Sequence, residues 1–342
     1  MDQFVCVRLV QAKALDLSLF QFDPDLTFAV FFLNADKTIY GRFGSRSDFE
    51  DADREISLEG LRKAMEAALA LHADYPANQA ALAGKTGPPP RYPTVADYPW
   101  PRNRPHFDHC VHCHHVQNAE QLVFRTADKP IPDEVLFPWP MPDVVGIELD
   151  PKERAKVEGV APGSPADRSG FRAGDEIVTF EKQPVLSIAD VQFVLQRAVP
   201  PAELQAEVRR RGKTLPLTLR LDKGWRRASN LSWRESSWDL RRMATGGLLL
   251  EELPEAERRE AGLASDALGL RVKHMGGFGE HAAAKNAGFK VGDILVSVDG
   301  QTDRVRESEL LAYLVQGRNR GEKVPVTLLR AGERLTLELP MQ

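Results

Sequence analysis

The chain repeats itself, and that repeat constrains its fold more than any other feature. Ala166-x-x-x-Gly170-Phe171-x-x-Gly174-Asp175-x-Ile177 recurs as Ala284-x-x-x-Gly288-Phe289-x-x-Gly292-Asp293-x-Leu295. Downstream, Arg210-x-Gly212-x-x-Leu215-x-Leu217-x-Leu219 recurs as Arg330-x-Gly332-x-x-Leu335-x-Leu337-x-Leu339, with a slightly longer loop between the two blocks in the second copy. Self-similarity of this kind means two copies of one domain. In each copy the glycines suit turns that need positive φ, Asp175 and Asp293 can accept from nearby backbone amides, and the alternating leucines make a half-buried final strand. A helix opening near Ser187 or Ser308 would bury Val191 and Leu195 in the first copy, Leu310 and Leu314 in the second.

Val160-Ala161-Pro162-Gly163-Ser164-Pro165-Ala166, running through to Gly174-Asp175, resembles the PDZ domains of bacterial trimming proteases and regulators. One departure is Lys182, where that family often has Gly and the second copy keeps Gly300. The resemblance implies binding of an extended peptide or protein C-terminus as an added strand, with loop amides holding the terminal carboxylate. The matching loop-and-strand positions are Val145, Gly146 and Ile147, then Leu268, Gly269 and Leu270. Groove-facing helix positions are expected at Ile188 and Gln192, then at Glu307 and Leu311. Glu307 at the mouth of the second groove would repel a carboxylate, so that copy is expected to bind weakly or to pack internally. The competing reading makes one or both copies spacers whose grooves are closed by the connector. No Gly-x-Ser-x-Gly elbow and no protease domain precedes the copies, so no catalytic residue is assigned and serine-protease activity is not expected.

Five of the eight histidines lie between His106 and His115, around Cys110-Val111-His112-Cys113-His114. Cys-x-x-Cys-His is the attachment signature of c-type haem: two thiols add to the vinyl groups and the following imidazole ligates the iron. On that reading Cys110, Cys113 and His114 hold the cofactor, Met141, His106 or His109 supplies the other axial ligand, and Phe107, Phe124, Phe137 and Trp139 help to cover the ring. Zinc is the alternative, held by Cys110 and Cys113 with His106 and His114 or His115, at unusually compressed spacing. A redox dithiol and a fortuitous loop cluster also fit.

Towards the N-terminus, the pattern predicts a strand at Phe4–Val10, a short helix at Leu15–Phe20 and a hairpin of Thr27–Phe32 with Thr38–Phe43 about Asn34–Lys37. Ser57 then caps a helix whose apolar face is read as Leu58, Leu61, Met65, Leu69 and Leu71. This order resembles the C-terminal half of a thioredoxin-like domain, with Thr27 where such domains usually place a cis-proline. Cys6, within the first strand, is expected to be buried. The domain order is similar to that of a bacterial family in which a thioredoxin-like domain precedes PDZ repeats, some members carrying selenocysteine. That likeness implies a redox motif and an export signal before Met1, and hence a periplasmic protein.

The expected fold class is multidomain α+β. A partial thioredoxin-like α/β segment spans 1–80, and a Pro-rich linker with a short irregular His/Cys segment spans 84–142. PDZ-like β-sandwich or barrel domains at 143–223 and 265–342 flank a Trp/Arg-rich connector at 224–264. A net charge of −4 gives no broad reason to bind nucleic acid, and no apolar stretch is long enough to span a bilayer. Trp225, Trp233 and Trp238 of the connector are expected to bury against the modules, with the neighbouring arginines paired locally or facing solvent. Two functions follow: peptide or protein-terminus binding, or electron transfer and thiol redox chemistry at the Cys/His segment.

Overall fold

The computed structural model describes residues 3–47, 55–100 and 111–342. The chain divides into two compact units, one of residues 1–119 and 137–229, the other of residues 120–136 and 230–342. Among the described residues no helix is long and apolar enough to cross a membrane.

In the first unit β1 (Val30–Leu33) and β2 (Ile39–Phe43) form the expected hairpin, closed by Asn34 and Thr38. Helix α1 (Leu58–Ala73) starts where Ser57 accepts the Gly60 amide, as an N-cap should. Its buried line is Gly60, Ala64 and Ala68, small residues that let the helix lie close to its neighbours. Leu58, assigned to the buried face, is exposed, whereas Leu61 and Met65 flank the line against Phe32, Tyr40 and Phe43. Three other expectations fail. Phe4–Val10 forms no strand, Val5 and Val7 are 95% and 80% exposed, and Cys6 is exposed rather than buried. Leu15–Phe20 makes turns in place of a helix, because Asp16 accepts the Ser18 and Leu19 amides and so competes with helical bonding. The proline-rich stretch is more than a linker, since it contributes buried Lys85, Val95 and Tyr98.

The rest of this unit is the first repeat: β3 (Ile147–Leu149), β4 (Val157–Val160), the short α2 (Pro165–Arg168), β5 (Glu176–Phe180), β6 (Gln183–Pro184), α3 (Ile188–Arg197), β7 (Ala202–Arg210) and β8 (Lys213–Leu221). β3 pairs with β4, and β6-β5-β7-β8 make an antiparallel sheet. Val157, Phe171, Ile177, Val191, Leu195 and Leu219 meet in one core. Ser187 caps α3, and the Arg226 guanidinium closes the helix's other end by donating to the carbonyls of Leu195, Gln196 and Ala198.

The second unit holds the second repeat in a single five-stranded sheet of order β13-β12-β11-β10-β9. Its elements are α4 (Ser237–Thr245), β9 (Leu248–Glu252), α5 (Glu255–Glu260), β10 (Leu270–Met275), α6 (Ala283–Asn286), β11 (Ile294–Val298), α7 (Glu307–Gly317), β12 (Lys323–Arg330) and β13 (Glu333–Pro340). The copy therefore begins well before residue 265, inside the stretch read as a connector. Trp225 and Trp233 are buried as expected, and so are Arg226, Arg234, Arg241 and Arg242; Arg242 makes the expected local pair with Asp239, whereas Arg241 pairs with the distant Glu307.

Candidate peptide-binding site

A PDZ-type groove lies between a strand border and a helix, and backbone pairing identifies the equivalent strand in each copy. In the first copy Ala161 N–H donates to Gly146 C=O, and Ile147 and Leu149 lie opposite Val160 and Val157. In the second copy Gly276 N–H donates to Gly247 C=O, and Leu248 and Leu250 lie opposite Met275 and Val272. Gly146 and Gly247 both sit at positive φ, 86° and 93°. At either glycine a Cβ would also collide, with the Ser164 side chain at 2.2 Å or the His281 carbonyl at 2.0 Å. β9 is thus the counterpart of β3, and Gly246-Gly247-Leu248 is the counterpart of Val145-Gly146-Ile147.

That equivalence corrects the second set of assigned residues. Leu268, Gly269 and Leu270 lead into β10, which is paired on both sides, with β9 and with β11. They offer no border to a ligand. The Leu-Gly-Leu pattern imitated the loop motif while the true strand sat on the far side of the insertion containing α5.

The two borders differ in how their outward-facing groups are satisfied. Because Gly146 and Glu148 bond inward to β4, the N–H and C=O of Ile147 and Leu149 point away from it. Among the described residues they have no hydrogen-bond partner, although Ile147 is only 1% exposed. In the second copy two of the four corresponding groups are taken by side chains. Leu248 C=O accepts from the Thr245 hydroxyl at 3.1 Å, and Leu250 N–H donates to the Glu307 carboxylate at 2.8 Å. Glu307 is further held by the Arg241 guanidinium at 2.9 and 2.7 Å and by the Ser232 hydroxyl at 2.9 Å. Both ends of this ion pair are almost wholly buried. The first copy has Val144 and Ile188 at the places of Thr245 and Glu307, and neither can make such bonds.

The helix positions expected to face the groove are also engaged. Ile188 packs into the core of the first copy. Gln192 is buried, and its amide donates to Trp139 C=O at 2.7 Å, while Trp139 N–H donates to the Gln196 side chain at 2.7 Å. Leu311 is fully buried and Glu307 is locked as described, so the second groove has no open helix face. On its other side α3 carries β2: Ser187 donates to Arg42 C=O, and Asp190 lies between Lys85 at 2.9 Å and Arg42 at 3.7 Å. Burial pushes the Lys85 ammonium down to about 8 despite the Asp190 carboxylate beside it.

In the Cys/His segment, Cys110, His106 and His109 lie outside the described residues, as does Phe107. Cys113 is partly buried, which pushes its thiol up. The rings of His112, His114 and His115 have centroids 4.5 to 5.9 Å apart. Among the described residues no three His, Cys, Asp or Glu side chains are placed to share a metal ion. Met141, weighed as an axial ligand, packs instead into the core of the first copy.

A PDZ-domain family matches residues 156–210. Residues 156–210 are a PDZ domain. β3 and its loop lie just ahead of that stretch. Over 184 residues the chain is 24% identical to a protein of Marinomonas named "Probable periplasmic serine endoprotease DegP-like", covering 54% of this chain and 36% of that protein. A protein of the same name from Halomonas elongata is 26% identical over 191 residues, with the same shares. The chain thus spans about a third of the length of the curated relatives it matches. Among solved structures, an HtrA-type protease, AlgW, with a decapeptide is 18% identical, with a TM-score of 0.25 and 38% of each chain covered.

Proposed function

We propose that this chain binds an extended peptide or a protein C-terminus through its PDZ domain, adding the ligand as a strand on β3 beside the Val145-Gly146 loop. One observation carries the reading: among the described residues the outward N–H and C=O groups of Ile147 and Leu149 have no hydrogen-bond partner, and Ile147 is only 1% exposed. Buried backbone groups in folded proteins are nearly always hydrogen-bonded, so such a border is a vacancy for another main chain. The second copy supports this by contrast, because there Thr245 and Glu307 occupy two of the four equivalent groups, and the buried Glu307–Arg241 pair blocks the border. The likeness to proteins named as periplasmic favours an exported setting.

A peptide library with free C-termini, screened against the full chain, tests the proposal. Ile147→Pro removes the N–H that faces away from β4 and trims a core side chain as well, so a urea unfolding curve first establishes that the variant is folded. Ligands selected by the wild type should lose affinity for this variant by about tenfold or more. Undiminished binding would move the site off β3.

A further inference from the structure

The vacant border on β3 is buried, so something of the chain's own lies over it. The segment Phe137–Met141 lies against α3, the other wall of the groove. Both main-chain polar groups of Trp139 are held by α3, its C=O by Gln192 and its N–H by Gln196, each at 2.7 Å. Its ring stacks beside Phe193 at 6.4 Å between centroids. Two residues on, Met141 packs into the same core as Ile147 and Ile188 and leads into the Val144–Gly146 loop. Trp139 is also at φ 50°, the left-handed region that a bulky non-glycine residue avoids unless neighbours hold it there.

We propose that Phe137–Met141 is an internal strap over the first groove, clasped to α3 by Gln192 and Gln196, and that ligand binding on β3 requires its release. The inference rests on the peptide-binding reading above and adds its regulation. The strap bonds to the helix wall by main-chain groups, as an extended ligand does to a strand, yet it leaves the border itself unpaired. It therefore competes for the space of the groove without satisfying Ile147 and Leu149. Release also relieves the left-handed conformation at Trp139, which lowers the barrier to exchanging the strap for a ligand.

The test compares a library-selected peptide on wild type, Gln196→Ala and Trp139→Ala. Gln196→Ala removes the acceptor of the Trp139 amide without altering β3, and Trp139→Ala removes the ring from Phe193. Each should bind the peptide more tightly, by about tenfold. In the wild type, hydrogen exchange at the Trp139 amide should speed up when the peptide saturates the protein. Unchanged affinity in both folded variants, or unchanged Trp139 exchange in the saturated wild type, would overturn the strap. Binding that stays sensitive to Ile147→Pro but indifferent to these changes would sink the strap alone. Absence of binding even by the loosened variants would sink the peptide-binding reading itself.

Discussion

At the scale of single residues, the repeat is held by an interaction that its glycines only hinted at. Asp175 accepts the Arg172 amide, as its position implied, and also a two-pronged contact from Arg210, whose guanidinium reaches Gly170 C=O as well. Asp293, Lys290, Arg330 and Gly288 repeat the arrangement. Asp175→Asn should therefore cost the first unit about 2 kcal/mol, measured by urea unfolding, because the buried carboxylate's charge-assisted bonds are lost. Lys182 gives the opposite case. It sits at φ 63° where the second copy has Gly300 at φ 80°, so the turn is preserved and the lysine bears the left-handed penalty. Lys182→Gly should raise stability by up to about 1 kcal/mol, the relief of that strain less glycine's extra unfolded entropy. The Arg241–Glu307 pair should behave as buried pairs do. Glu307→Leu alone should destabilise the second unit by about 3 kcal/mol, and adding Arg241→Met should restore most of it, which denaturation of the single and double variants would show.

At the scale of elements, legibility followed periodicity and failed where a partner decided the outcome. The hairpin, the capped helix α1 and the helix at Ser187 were readable because turn residues, cap and apolar spacing agree locally. Phe4–Val10 has strand composition but no paired strand among the described residues, and composition cannot supply one. The start of the second copy was misplaced because the insertion between β9 and β10 breaks the repeat's spacing just where the loop motif lies, and Leu268-Gly269-Leu270 imitates it. The docking of β2 on α3 was invisible, since nothing local announces that Lys85, Arg42 and Asp190 will share one buried place. That cluster makes stability depend on pH. Below about 8 Lys85 is charged in both states and the folded form carries the full burial penalty. Between about 8 and the ordinary 10.5 the unfolded chain holds the proton and the folded one does not, so stability should rise through this window. Urea midpoints at pH about 7.5 and about 9.5 check it, and Lys85→Met should flatten the difference.

At the scale of the whole molecule, two copies of one architecture have diverged in what they do with an equivalent strand border. The change is small in sequence: Val144 against Thr245 and Ile188 against Glu307. Only coordinates reveal it, because the residues that fill or leave the border lie far apart along the chain and the second border was itself misassigned. Whether β3 accepts a main chain is read most directly from hydrogen exchange at the Ile147 amide. With a saturating selected peptide, that amide should slow by about a hundredfold or more, the signature of a new strand-to-strand bond. A bound peptide that leaves Ile147 exchange untouched would contradict strand addition on β3.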